Sequence, residues 1–120
     1  EKTAGLEPFG DAMGFTVEAF VHFQGKLPLP KRSKHLCVAT IERAERILTT
    51  LLDEARIKEL SLVVVDEAHF VGDPERGPIL EILLGRIRTF FPDTQIVCMS
   101  ATIPNLHDFA TWLSAGVFES

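Results

Sequence analysis

Long apolar runs are missing from this sequence. Nothing approaches the roughly 20 consecutive apolar residues of a membrane-spanning helix, so no membrane partner is expected. Cysteine is scarce. Cys37 and Cys98 are the two present, each inside a short apolar run with no Cys/His cluster beside it. That points to small core residues in a reducing compartment rather than to a disulfide or a metal site. An excess of positive charge is missing too. The formal net charge is −5, which argues against a surface that grips nucleic acid all over. A phosphate-binding loop is also absent. No GxxxxGK[ST] occurs, and the nearest glycine-lysine pair, Gly25-Lys26, lacks the rest of the pattern. Without that loop and its lysine, the β and γ phosphates of a nucleotide have no cradle here. Nothing at the start resembles a signal peptide, and a chain opening on Glu1 is expected to be cut from something longer.

What is present reads as alternating strands and helices. Residues 3–14 are ambiguous: Leu6, Phe9 and Met13 share a helical face, while Pro8 and Gly10 weaken it. Phe15–Phe23, rich in β-branched and aromatic residues, predicts a strand ended by Gln24-Gly25. The next stretch, Lys26 to His35, holds Lys26, Lys31, Arg32 and Lys34 and no acid, kept open as a loop by Pro28 and Pro30. His35–Thr40 predicts a short buried strand running straight into a helix over Ile41–Ile57, with the stripe Ile41, Ala44, Ile47 or Leu48, Leu51 and Ala55. Ser61–Asp66 is apolar at consecutive positions, as a strand covered on both faces should be. A helix over Ile79–Phe90 is stopped by Pro92. A strand over Thr94–Ser100 then leads to a helix near Pro104 that ends at Gly116. The order predicts an α/β domain, a parallel sheet flanked by helices, with the sheet incomplete.

In such a sheet, ligands bind beyond the carboxyl ends of the strands. Three strands deliver polar groups there: Thr40, Asp66-Glu67, and Ser100 with Thr102. Asp66, after a four-residue apolar run, has the placement of a carboxylate that holds Mg²⁺, the ion bridging nucleotide phosphates. Glu67 is placed to orient and deprotonate water. His69 reads either as a packing histidine or as a relay. Ser100 and Thr102 read either as partners of these groups across the sheet edge or as local caps. Thr40 is a candidate helix N-cap whose helix start also attracts phosphate. Arg76-Gly77 reads as a tight loop whose arginine serves an ion pair or a ligand.

Three segments resemble the motifs of one family in their family order. VVVDEAH (Val63–His69), followed by Arg76-Gly77 and ILEILL, resembles motif II of superfamily 2 DExH helicases of the Ski2-like group. MSATIPN (Met99–Asn105) resembles motif III, and ATIERA (Ala39–Ala44) resembles motif Ib. CMSATIPNLHDFATWL looks closest to the Hel308-like branch, which includes the helicase domain of DNA polymerase theta; Ski2 and Mtr4-like RNA helicases are near relatives. Ala68 departs from the branch, which has Leu or Ile there.

The resemblance implies a RecA-like domain of the P-loop NTPase type without its phosphate-binding-loop strand. Residues 1–120 would be the C-terminal portion of the first such domain. It implies ATP and Mg²⁺ as cofactors, with Asp66 on the metal and Glu67 as catalytic base. His69, Ser100 and Thr102 would couple nucleotide state to strand movement. Thr40, Glu42 and Gly25 would contact nucleic acid, with Lys26, Lys31, Arg32 and Lys34 as a loop facing it. The parent would be a nuclear 3′-to-5′ helicase in DNA repair, acting on single-stranded or partly duplex DNA together with a second RecA-like domain. The piece alone would be inactive. An RNA helicase is the alternative within the family. Outside it, the alternative is a short, non-catalytic form that serves as a protein-binding module.

Overall fold

A computed structural model describes residues 2–21, 25–31 and 34–118. It divides into two compact units, residues 1–56 and 57–120.

In the first unit, helix α1 (Lys2–Met13) carries Pro8 within it and is followed by strands β1 (Thr16–Phe20) and β2 (His35–Ala39). The ambiguous opening is therefore helical. The two strands pair in parallel, Thr16 opposite His35 and Phe20 opposite Ala39. A parallel pair needs a long connection, and the chain between Phe20 and His35, which includes the basic proline segment, provides it. That segment is tied down at Leu29, whose carbonyl accepts from the buried guanidinium of Arg56 at 2.7 Å, while the same nitrogen meets Glu54 at 2.8 Å. Burying an arginine is tolerable because its charge is paired and its donors are used.

Helix α2 (Ile41–Asp53) buries Ile47, Leu48 and Leu51, so the predicted stripe takes both residues offered at its middle. It stops four residues before the expected Ile57. Ala55 adopts φ 55°; its amide donates to Leu52 at 3.0 Å and that of Arg56 to Leu51 at 2.7 Å. This is a Schellman closure with alanine where glycine is usual.

In the second unit, β3 (Leu62–Val65), helix α3 (Gly77–Phe90) and β4 (Gln95–Cys98) make one strand-helix-strand crossover, and α4 (Leu106–Leu113) follows. β3 and β4 are parallel, Leu62 opposite Gln95 and Val65 opposite Cys98. The core lies under α3, where Leu80, Leu84, Ile87 and the following Phe91 are almost fully buried. Pro92 lies just past the end of α3, as expected. The last turn of α4 closes on Ser114, at φ 54°. The guanidinium of Arg88 donates to the Trp112 carbonyl and lies 3.4 Å from the Ser114 hydroxyl. A cation at a helix C-terminus is favoured both by free carbonyls and by the helix dipole.

The fold is α/β with parallel pairing throughout, but each unit carries a two-stranded sheet rather than a share of one larger described sheet. Two-sided cover of the second sheet also needs correcting. Leu62 and Val64 are 51% and 50% exposed, and Val97 opposite Val64 is exposed too. Val63, Val65, Ile96 and Cys98 take the better-covered face. Side chains alternate across a strand, so covering one face leaves every second valine open.

Candidate functional site

The acid pair follows where β3 stops. Asp66 and Glu67 are both exposed at the carboxyl end of the β3/β4 pair, the edge at which open parallel sheets bind ligands. The turn is tight. The Asp66 carboxylate accepts the amide of Glu67 at 2.9 Å, and Glu67 itself is left-handed, at φ 55° and ψ 43°. A non-glycine residue pays of order 1–2 kcal/mol for that conformation, and such strain gathers at functional turns.

The chain then dives inward at Ala68, which is fully buried. Its amide donates to the carbonyl of Met99 at 2.9 Å, and the amide of Met99 donates to Val65 at 2.8 Å. The departure at Ala68 leaves this contact alone, since the backbone makes it. The segment from Met99 is thereby held against the turn that follows β3, and the Ser100 hydroxyl comes 3.5 Å from His69 Nδ1, the outer limit of a hydrogen bond. Thr102 is exposed and is not brought to His69 or to either acid by any contact among the described residues.

His69 stacks on Phe70 with ring centroids 5.0 Å apart, and Arg76 lies over the other partner, its guanidinium carbon 5.3 Å from the Phe70 centroid. This ring contact is neither of the two readings for Arg76; of those, the ion-pair reading has a nearby charge in Asp73, whose carboxyl Arg76 helps to lower. The turn between them is braced by Asp73, whose carboxylate accepts the amides of Arg76 and Glu75 at 2.8 and 2.9 Å. Those amides hold its carboxyl below the usual range. Gly77 is required by space: a Cβ there would sit 2.3 Å from the Val71 carbonyl oxygen.

Mg²⁺ keeps much of its water and takes one or two carboxylates plus substrate phosphates. Asp66 with Glu67 offers a donor set of that kind. No group of three or more His, Cys, Asp or Glu among the described residues is placed to hold an ion alone.

The residues expected to meet nucleic acid fall in the first unit. Thr40 occupies the N-cap position of α2 with extended backbone, yet makes no side-chain cap bond, so that part of its expected role is not met. Glu42, Lys26, Lys31 and Lys34 are exposed; Arg32 lies outside the described residues. Gly25 lines a groove of about 470 Å³ together with Arg43, Arg46, Thr49 and Thr50. Its need for glycine has a cause within the chain: at φ +86°, a Cβ would lie 2.4 Å from the Phe20 ring. Arg43 and Arg46 went unread in the sequence, although their spacing of three on the polar side of α2 is a usable signal.

The sequence pattern of the DEAD/DEAH box helicases matches residues 8–109. The chain belongs to that family. It is 41% identical over 122 residues to "Helicase POLQ-like" of Homo sapiens, a match covering 100% of this chain and 11% of that protein. It is 36% identical over 123 residues to "DNA polymerase theta" of Drosophila melanogaster, covering 98% of the chain and 6% of that protein. Identity to "ATP-dependent DNA helicase Hel308" of Aeropyrum pernix is 39% over 83 residues, 69% of the chain and 11% of that protein. These relatives place this helicase chain in the Ski2-like branch of Hel308 and polymerase theta. The chain spans about a tenth of the length of the Helicase POLQ-like relatives.

Proposed function

We propose that this chain is the C-terminal portion of the first RecA-like domain of an ATP-dependent 3′-to-5′ DNA helicase that acts in DNA repair in the nucleus. The observation that carries the reading is the backbone tie between Ala68 and Met99, which holds the turn bearing Asp66 and Glu67 against the segment bearing Ser100 at one sheet edge. A nucleotide-bound Mg²⁺ would polarise the phosphates and stabilise charge developing on them. Asp66 would supply the carboxylate for that ion. Glu67, one residue on, would accept the proton of the attacking water, and its strained turn fixes where its side chain departs from the strand. His69 and Ser100 would sense the nucleotide and pass its state to the rest of the core through motif III.

The phosphate cradle is not among these residues. This piece on its own would therefore not turn ATP over, and the second RecA-like domain would complete the site. On the first unit, the groove of Gly25, Arg43 and Arg46 supports contact with a nucleic-acid backbone, since its lining carries two arginines against the single acid Glu45. Thr40, Glu42, Lys26, Lys31, Arg32 and Lys34 would flank that path. DNA is favoured over RNA because the archaeal relative carries "DNA helicase" in its name.

The test is strand displacement by the protein containing this chain, on duplexes with a single-stranded 3′ or 5′ tail of DNA or RNA. Unwinding from 3′ DNA tails alone supports the reading. Preference for RNA tails moves the protein to the RNA branch, and displacement from 5′ tails removes the polarity.

A further inference from the structure

None of Asp66, Glu67, His69 or Ser100 lines the concave surface of about 360 Å³ found elsewhere in the second unit. Its walls are Val71, from the loop after motif II, Ile103, from the end of motif III, and Phe109 and Trp112 from α4. Phe109 and Trp112 stack with centroids 6.0 Å apart, forming an aromatic wall. Glu81 of α3 and Asp108 of α4 also line it. Neither carboxylate belongs to an ion pair among the described residues. An apolar cleft with a few placed charges is the ordinary form of a recognition site.

The charge pattern selects the guest. Arg88 already lies over Trp112, its guanidinium carbon 5.9 Å from the ring, so this aromatic wall accepts a planar cation. Arg88 is not itself part of the lining, which holds two acids and no lysine or arginine, leaving the groove acidic. We propose that it docks a basic peptide segment of a partner protein, an arginine or lysine set beside an aliphatic residue. The cation would meet Glu81 and Asp108, and the aliphatic neighbour would cover Ile103 and Phe109. Because Val71 lies four residues after Glu67 and Ile103 three after Ser100, such a partner touches both motif loops from outside the proposed nucleotide site. The proposal stands on the groove alone and does not depend on the helicase reading.

Trp112 is the only tryptophan of this chain, which gives the groove its own reporter. The protein containing this chain is labelled with 5-fluorotryptophan, and the Trp112 fluorine signal is identified by its loss in Trp112→Phe. The probe is a short acetylated and amidated peptide of alternating arginine and leucine; the control replaces arginine with glutamate. The expected result is a saturable shift of the Trp112 signal with the basic peptide only, weakened at least tenfold in the Glu81→Gln/Asp108→Asn double variant. No shift up to millimolar peptide overturns the proposal. So does an equal response to both peptides, or unchanged affinity in the double variant. A Trp112 signal with no water-to-D₂O shift before peptide is added would show the groove already covered, by another part of the protein or a second copy, and would also overturn it.

Discussion

Ala68 donates its amide hydrogen to the carbonyl of Met99 at 2.9 Å, and this bond continues the β3/β4 ladder one step beyond the strands. It fixes the residue after Glu67 to the residue before Ser100. Movement of either segment therefore strains the other.

Glu67 bears the cost of that arrangement in its left-handed backbone, at φ 55°. Glu67→Gly removes the clash of Cβ with the carbonyl and is expected to stabilise the fold by up to about 1 kcal/mol, while ATP turnover by the protein containing this chain is lost. Urea unfolding midpoints beside turnover rates check both halves. A destabilised variant would show that the turn is not strained.

Ser100 and His69 meet at 3.5 Å in an exposed setting, a contact too long and too wet to stabilise much. Ser100→Ala should therefore change stability by no more than about 0.5 kcal/mol. If the pair serves coupling, DNA-stimulated turnover should fall several-fold while basal turnover holds. Equal loss of both rates would assign Ser100 to the chemistry instead.

Gly77 admits no side chain. Its added Cβ would approach the Val71 carbonyl oxygen to 2.3 Å, and backbone on both sides cannot yield as a flexible side chain would. Gly77→Ala is expected to cost about 1–3 kcal/mol, read as a lowered thermal midpoint. A neutral substitution would mean that the loop from Phe70 to Gly77 relaxes freely.

Much of this was legible in the residues. The run Val63–Val65 ending at Asp66-Glu67 announced a strand and the polar groups at its carboxyl end, because hydrophobic run and acid pair are both local signals. The stripe of α2 was equally clear. Its end was not: Ala55 is an ordinary helix former, and only the closure onto Leu51 and Leu52 shows that it turns left-handed. Pro8 obscured α1, although the proline stands inside that helix. Covering was the harder matter. Consecutive valines are consistent with burial on two faces, and nothing local reveals that Leu62 and Val64 stay open. The burial of Arg56 had no local signal either, since its partner carbonyl at Leu29 is distant in sequence.

Burial, with the nearby charge of Glu18 second, pushes the Cys37 thiol up to about 11. An unfolded thiol ionises near pH 8.5, so between there and about pH 11 the unfolded chain sheds a proton that the folded chain keeps. Stability is unaffected below that window and falls as pH rises through it. Urea midpoints from pH 7 to 11 should decline at the alkaline end, less steeply in Cys37→Ala. Identical alkaline slopes would show that Cys37 ionises freely in the folded chain.

The most direct test of the account is ATP turnover by the protein containing this chain, with and without single-stranded DNA, beside Glu67→Gln. Glutamine keeps the size and turn of Glu67 but cannot accept the proton. The account predicts strong stimulation by DNA and a loss of at least about 100-fold in the variant, in the range of a positioned general base, with its fold intact. Turnover that survives the substitution, or no turnover with any nucleic acid from a folded protein, would contradict it.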